Sequence, residues 1–185
     1  MPETKRLLLR PWEESDAEEL YRYAKDPEVG PAAGWPVHKS VENSREIIRS
    51  ILSEPETYAV VLKETGLPVG SIGLMFGKAT QLTDREDECE LGFWLGKPLW
   101  GRGIMPEAVS ELLRRAFLKL GVIKVWCGYF DGNVKSARVQ EKCGFLYVKT
   151  REKVYVPQIG EDRREHITCL TRERWASENN RESYC

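Results

Sequence analysis

Between residues 91 and 108 the chain runs Leu91-Gly92-Phe93-Trp94-Leu95-Gly96-Lys97-Pro98-Leu99-Trp100-Gly101-Arg102-Gly103-Ile104-Met105-Pro106-Glu107-Ala108. This reads as a buried strand, a short turn, and a glycine-punctuated start of a long helix. Gly101 and Gly103 flank Arg102, so no side chain at either position blocks close approach to the backbone. The first amides of the following helix lack intrahelical acceptors, and the positive end of its dipole adds to them. Together they suit an anion, most naturally a pyrophosphate, with Arg102 supplying a cation at the same place. A Gly-x-Gly pair on its own also marks ordinary strand-to-helix turns. Spacing excludes two nucleotide folds: the P-loop pattern is absent, and the third glycine of a dinucleotide fingerprint falls on Pro106.

Around this stretch the composition is that of one soluble domain. The chain has 185 residues, 41% hydrophobic and 31% charged, with 28 basic against 29 acidic residues and a net charge of −1. A balance of this kind argues against nucleic-acid binding by bulk charge. No apolar run approaches the ~18 residues of a membrane span, and the first residues, Met1-Pro2-Glu3-Thr4-Lys5-Arg6, lack a signal-peptide core. A cytoplasmic protein without a membrane partner is expected. The five cysteines (Cys89, Cys127, Cys143, Cys169, Cys185) are scattered and only two histidines occur. Neither a metal site nor a disulfide framework is expected.

Upstream, Arg6–Arg10 reads as a strand ended by Pro11. Ser15 and Glu18 fit a capping box that opens a helix through Ala24. The segment Gly30–His38 reads as a Gly/Pro-rich loop whose Trp35 and His38 are candidate substrate contacts. Ser40 caps a second helix with Val41, Ile47, Ile48, Ile51 and Leu52 on its apolar side. Thr57–Leu62 and Val69–Phe76 form a hairpin, residues 77–87 a polar loop, and Glu88–Leu95 the central strand. Downstream, Met105, Val109, Leu112, Leu113, Ala116 and Leu120 recur at helical spacing as far as Gly121. A strand at Val122–Phe130, a helix capped by Asn133, and strands at Tyr147–Val156 and His166–Thr171 complete the order, the last two joined by a polar loop at Pro157–Arg164. The fold class is therefore α/β, a mixed sheet with helices on both faces. Residues 1–175 make the domain, and residues 176–185 a charged, frayed tail.

The ordered set Arg6-Leu7-Leu8-Leu9-Arg10-Pro11-Trp12, Glu90–Leu95, Trp100–Ala108, Asn133-Val134-Lys135-Ser136 and Glu141-Lys142-Cys143-Gly144-Phe145 resembles the GCN5-related N-acetyltransferase superfamily (GNAT). Within it, the set resembles the branch of ribosomal-protein N-terminal acetyltransferases. The resemblance implies a mostly antiparallel sheet of six to seven strands, acetyl-CoA as donor and a primary amine as acceptor, either a protein N-terminus or a small molecule. It also implies a homodimer, as in many relatives. The phosphate cradle of the family falls on the backbone of Trp100, Gly101, Arg102, Gly103, Ile104 and Met105, and the pantetheine strand on Phe93, Trp94 and Leu95. One family side-chain contact is lost at Pro98. Glu90 matches the carboxylate that serves some relatives as general base, with Glu152 as the reserve, and Glu90 also faces the acceptor. Many relatives carry an acid tyrosine where this chain has Gln140. In the branch the serine of Asn-x-x-Ser is the proposed acid, which places that role on Ser136, with Ser136 and Asn133 also at the cofactor arm. Structural readings stand beside these: an ion-paired strand-end Glu90, a helix-capping Asn133 and a backbone-bonded Ser136. Cys143, directly before the Gly144 helix stop, reads as core packing rather than as a nucleophile. The same motifs allow a coenzyme A-binding sensor that has lost turnover, which an amine panel would separate from a transferase.

Overall fold

A computed structural model describes residues 1–182. The strands are β1 (Leu7–Arg10), β2 (Thr57–Leu62), β3 (Pro68–Met75), β4 (Glu88–Leu95), β5 (Lys124–Phe130), β6 (Leu146–Val156) and β7 (Glu161–Thr171). They form one sheet in the order β1-β2-β3-β4-β5-β7-β6, in which only the β4–β5 pair is parallel. The helices are α1 (Ala17–Ala24), the short α2 (Gly30–Ala33), α3 (Val41–Ile47), α4 (Ile104–Lys119), α5 (Val134–Lys142) and α6 (Arg172–Glu182). The expected mixed, mostly antiparallel sheet of six to seven strands is thus a seven-stranded one.

Alternation along the strands builds two cores. Tyr58 and Val60 of β2 face one apolar cluster while Ala59 and Val61 face the other. On the first face α4 lays down Ile104, Met105, Ala108, Val109, Leu112, Leu113, Ala116 and Phe117, all buried, at the three- and four-residue spacing of a single stripe. On the second, α1 contributes Leu20 and Ala24 and the turn that follows α3 contributes Ile48, closed by Trp12. The Trp12 indole donates to Ser71 Oγ at 3.0 Å, so its buried N–H is satisfied.

Several local expectations change. The capping box lies earlier, between Glu13 and Asp16, because Asp16 is drawn down by a two-pronged pair with Arg10 (2.7 and 2.8 Å). The supposed loop at residues 30–38 contains α2, which Gly34 terminates with φ +89°. Ser40 does cap α3, accepting from the Asn43 amide at 3.0 Å. A π turn at Ile48–Leu52 then rotates the apolar stripe and leaves Ile51 55% exposed. The polar loop before β7 shrinks to residues 157–160, since the charged run from Glu161 pairs with β6. Beyond Trp175 the chain is helical to Glu182 rather than frayed, held by Trp175 against Phe117 with ring centroids 5.4 Å apart. Cys185 and the rest of the expected tail beyond Glu182 lie outside the described residues.

Candidate active site

The site begins where two parallel strands part. β4 and β5 pair only from Glu88↔Lys124 to Leu91↔Cys127. Past that point β4 keeps its partner β3 as far as Gly70↔Leu95, and β5 keeps β7 as far as Phe130↔Glu165. The facing edges of residues 92–95 and 128–130 therefore have no strand between them. Into this gap opens a cavity of about 710 Å³, walled by both strands, the start of α4, one face of α5 and part of α2. Phe93, Trp94 and Leu95 line it. One backbone group there is already engaged: the Trp100 indole donates to the Leu95 carbonyl at 2.8 Å.

At one end of the gap stands the glycine turn. A single 3-10 turn at Lys97–Leu99 leads into it, and the Trp100 amide donates to the Lys97 carbonyl at 3.2 Å. Trp100 thus contributes its ring to the site but no free amide, which shortens the expected cradle by one residue. Gly101 (φ +78°) and Gly103 (φ +70°) adopt the left-handed conformation that L side chains resist. Among the described residues, the amides of Gly101, Arg102, Gly103, Ile104 and Met105 have no acceptor. The turn is braced from behind: Arg6 donates to the Arg102 carbonyl at 3.1 Å and pairs with Glu107 at 2.6 Å. The Arg102 side chain is exposed beside the cradle rather than in the cavity wall. A cation that sequence reasoning missed, Lys135, sits 3.9 Å above the Trp100 ring and does line the cavity. Unengaged amides, a helix dipole and flanking cations fit a diphosphate, and the neighbouring strand gap fits an extended amide-bearing arm.

Across the cavity Asn133 caps α5, its Oδ1 accepting from the Ser136 amide at 3.1 Å, while its Nδ2 donates to the Ala32 carbonyl at 3.1 Å. The side chain thereby ties α5 to α2. Behind it lies Gln140, 1% exposed. Its Nε2 donates to the Gly128 carbonyl and to Ser136 Oγ, both at 3.1 Å, and its Oε1 accepts from Thr168 Oγ1 at 2.7 Å. A carbonyl can only accept, so the Gly128 contact fixes which end of the Gln140 amide points forward. Ser136 Oγ therefore accepts from Gln140, and its own hydrogen is left to point elsewhere, with the cavity beside it. The residue that stands in the tyrosine position is thus a buried anchor for the serine, a role invisible in the sequence pattern.

Glu90 lines the cavity from β4 and is bound by Thr80, whose Oγ1 donates to Oε2 at 2.6 Å. Burial pushes its carboxyl above the ordinary range, against the opposing pull of the Thr80 hydrogen bond. From β7 a second carboxylate, Glu165, reaches the same cavity. It is 9% exposed and paired with Arg151 of β6. The reserve base Glu152 is elsewhere: its side chain is 72% exposed and pairs with Arg164 at 3.0 Å. Nor do Trp35 and His38 reach the cavity. His38 is buried, its Nδ1 2.8 Å from Ser44 Oγ, and burial lowers its pKa. Trp35 packs between it and Trp94 at centroid distances of 5.3 and 5.7 Å. Both serve the second core. From the Gly30–His38 segment Ala32 and Ala33 line the cavity, together with Glu28 and Val29 just before it. Burial holds the Cys143 thiol at about 11 and Cys89 at about 12, so neither is a ready nucleophile.

This geometry can be set beside known proteins. Residues 6–146 match the family described as acetyltransferase (GNAT) domain. The chain is 28% identical over 148 residues to the uncharacterized N-acetyltransferase p20 of Bacillus licheniformis, covering 77% of this chain and 80% of the relative. It is 34% identical over 92 residues to the FsC-acetyl coenzyme A-N(2)-transacetylase of Aspergillus fumigatus, covering 49% and 39% of the two chains. Among solved structures, a GNAT-family acetyltransferase from Bacillus anthracis superposes with a TM-score of 0.80 at 23% identity, covering 93% of this chain and 98% of the other.

Proposed function

The chain belongs to the acetyltransferase (GNAT) domain family, and from that premise we propose that it moves an acetyl group from acetyl-CoA to a primary amine by direct attack within a ternary complex. The observation that carries this is the conjunction of the parted β4 and β5 edges with the acceptor-free amides of residues 101–105. One half suits the pantetheine arm and the other the diphosphate.

The side chains divide the remaining work. Glu90, with its raised pKa, takes the proton of the incoming ammonium, and the freed amine attacks the thioester carbonyl. A group that ionises closer to neutral pH than an ordinary carboxylate is better matched to that transfer. As the C–S bond breaks, Ser136 directs its hydroxyl hydrogen to the sulfur, because Gln140 already occupies its acceptor side, and the second proton shed by the acetylated nitrogen ends on the thiolate through that hydroxyl. The high thiol pKa values argue for direct transfer over an acyl-cysteine intermediate. The acceptor we propose is a protein N-terminus, as in the ribosomal-protein branch the motifs resemble, or a small amine. Free-thiol release from acetyl-CoA against a panel of peptides and amines tests the whole reading. Release that depends on an amine and yields the N-acetyl product supports it. Binding of acetyl-CoA without release from any amine would instead indicate a sensor.

A further inference from the structure

The Arg151–Glu165 pair has an uneven geometry. Arg151 directs both Nε (2.9 Å) and Nη2 to the same oxygen, Oε2 of Glu165. The other oxygen, Oε1, has no hydrogen-bond partner among the described residues, although the side chain is about nine-tenths buried in the cavity wall. Its position depends on a missing side chain. Gly128 lies on the β5 edge of the gap, and a Cβ there would stand 2.5 Å from Oε1. A glycine inside a strand thus admits one bare carboxylate oxygen into the space that Glu90 also faces.

Charge accounting says what that oxygen takes. Of the carboxylates that line the cavity, Glu28 is paired with Lys97 and Glu165 with Arg151. Glu90 alone has no ion-pair partner among the described residues, its bond being to neutral Thr80. The lining cations Lys135, Arg138 and Lys142 all come from α5, the side assigned to the diphosphate, so the acceptor side balances one cation, opposite Glu90. Oε1, on an already neutralised pair, is left to accept from an uncharged N–H. We infer that Glu165 binds the acceptor through a neutral N–H donor beside the reacting amine, so that the preferred substrate is a monocationic α-amine followed by an amide, as at a peptide N-terminus, rather than a polyamine. This rests on the transferase reading above.

Three acceptors separate the possibilities: a short peptide amide with a free N-terminus, the same peptide N-methylated at the amide following that amine, and a linear triamine. Hydrogen bonds to charged groups are worth roughly 1.5–3 kcal/mol, which corresponds to about 10- to 150-fold. The wild type is expected to favour the free peptide over its N-methyl form by at least about tenfold in kcat/KM, and over the triamine. In Glu165→Gln the amide oxygen turns to Arg151 and an NH2 faces the cavity, a donor in place of an acceptor. That variant should raise KM for the free peptide, hold kcat for it within a few-fold, and lose the N-methyl discrimination. Gly128→Ala, which displaces Oε1 with Glu165 intact, should lose it too. Equal use of free and N-methyl peptide by the wild type, or preference for the triamine, overturns the inference and leaves the transferase reading standing. Collapse of kcat in Glu165→Gln with KM unchanged overturns it as well, by making Glu165 the base. Turnover of no amine at all refutes the transferase reading itself.

Discussion

Replacing Gln140 by leucine tests whether this residue holds the proton direction at Ser136. Leucine keeps the apolar bulk in a position 1% exposed but removes three hydrogen bonds. Thr168 retains a 3.3 Å contact to the Cys127 carbonyl, and Ser136 faces the cavity, so the group that loses most is the Gly128 carbonyl, which keeps a 3.9 Å contact from Cys127 Sγ in place of the amide donor. One buried unsatisfied acceptor costs roughly 1–3 kcal/mol, which for a chain of this size lowers Tm by about 2–12 °C. The kinetic consequence is separate. Without the Gln140 donor, the Ser136 hydroxyl is free to turn back onto the carbonyl one helical turn earlier, the usual habit of a helical serine. A full general-acid contribution is about 10²- to 10⁴-fold, and partial loss of orientation should remove about tenfold of it in kcat. KM for acetyl-CoA should stay within about twofold, because only transition-state stabilisation is lost. The assay is steady-state thiol release below the variant's melting range, run on Gln140→Leu, Ser136→Ala and the double variant. Strong non-additivity is expected, the double variant being no slower than Ser136→Ala. Unchanged kcat in Gln140→Leu, or fully additive losses, would refute the reasoning.

The other residues give shorter tests. Glu90→Gln should lower kcat by about 100-fold at pH values where the wild-type carboxylate is ionised, and it should erase the acid limb of the wild-type pH profile; equal activity would move the base elsewhere. The same variant has a stability signature. The native Glu90 pKa is raised, so its contribution to stability falls as pH rises through that value, and Glu90→Gln should raise Tm more at pH 8 than at pH 5. A Tm gain independent of pH would contradict this. Gly103→Val forces a β-branched residue into φ +70°, costing at least about 1–2 kcal/mol. The nearest atom to its Cβ would be Arg6 Nη2 at 3.7 Å, so the fold should persist while acetyl-CoA affinity drops. Normal affinity in calorimetry would sink the cradle assignment. Arg115 lowers the Glu56 pKa through a hydrogen-bonded pair at 2.6–2.8 Å, a stabilisation lost as pH falls through the native value. Arg115→Met should therefore cost more Tm at pH 7 than at pH 3, and equal losses would dismiss the pairing as a source of stability.

What local pattern could carry, the sequence carried. The stripe from Met105 to Ala116, the Ser40 and Asn133 caps and the Thr57–Leu62 strand are all set within a few residues, and each has its expected place in the structure. Errors arose where a distant segment decides the outcome. His38 sits in a Gly/Pro-rich stretch that suggests exposure, yet Ser44 on the next helix turns it into a satisfied core histidine. The run from Glu161 to Glu165 is too polar to read as strand. It becomes one because Lys153, Arg151 and Glu152 of β6 pair with Asp162, Glu165 and Arg164. Glu165 itself was missed for the same reason. Its one local signal was Gly128, a glycine within a strand pattern, which marks close approach by something from elsewhere. Gln140 registered only as an absent tyrosine, since the two partners that fix its orientation lie 12 and 28 residues away on β5 and β7.

The most direct test of the central claim is acetyl-CoA titration by calorimetry followed, on the same sample, by thiol release on adding the peptide and amine panel. The account predicts saturable binding that Gly103→Val weakens, and release only when an amine is present. A folded protein that binds no acetyl-CoA would contradict the reading of the β4–β5 gap and the glycine turn. One that binds it but releases thiol with no amine would contradict the transfer.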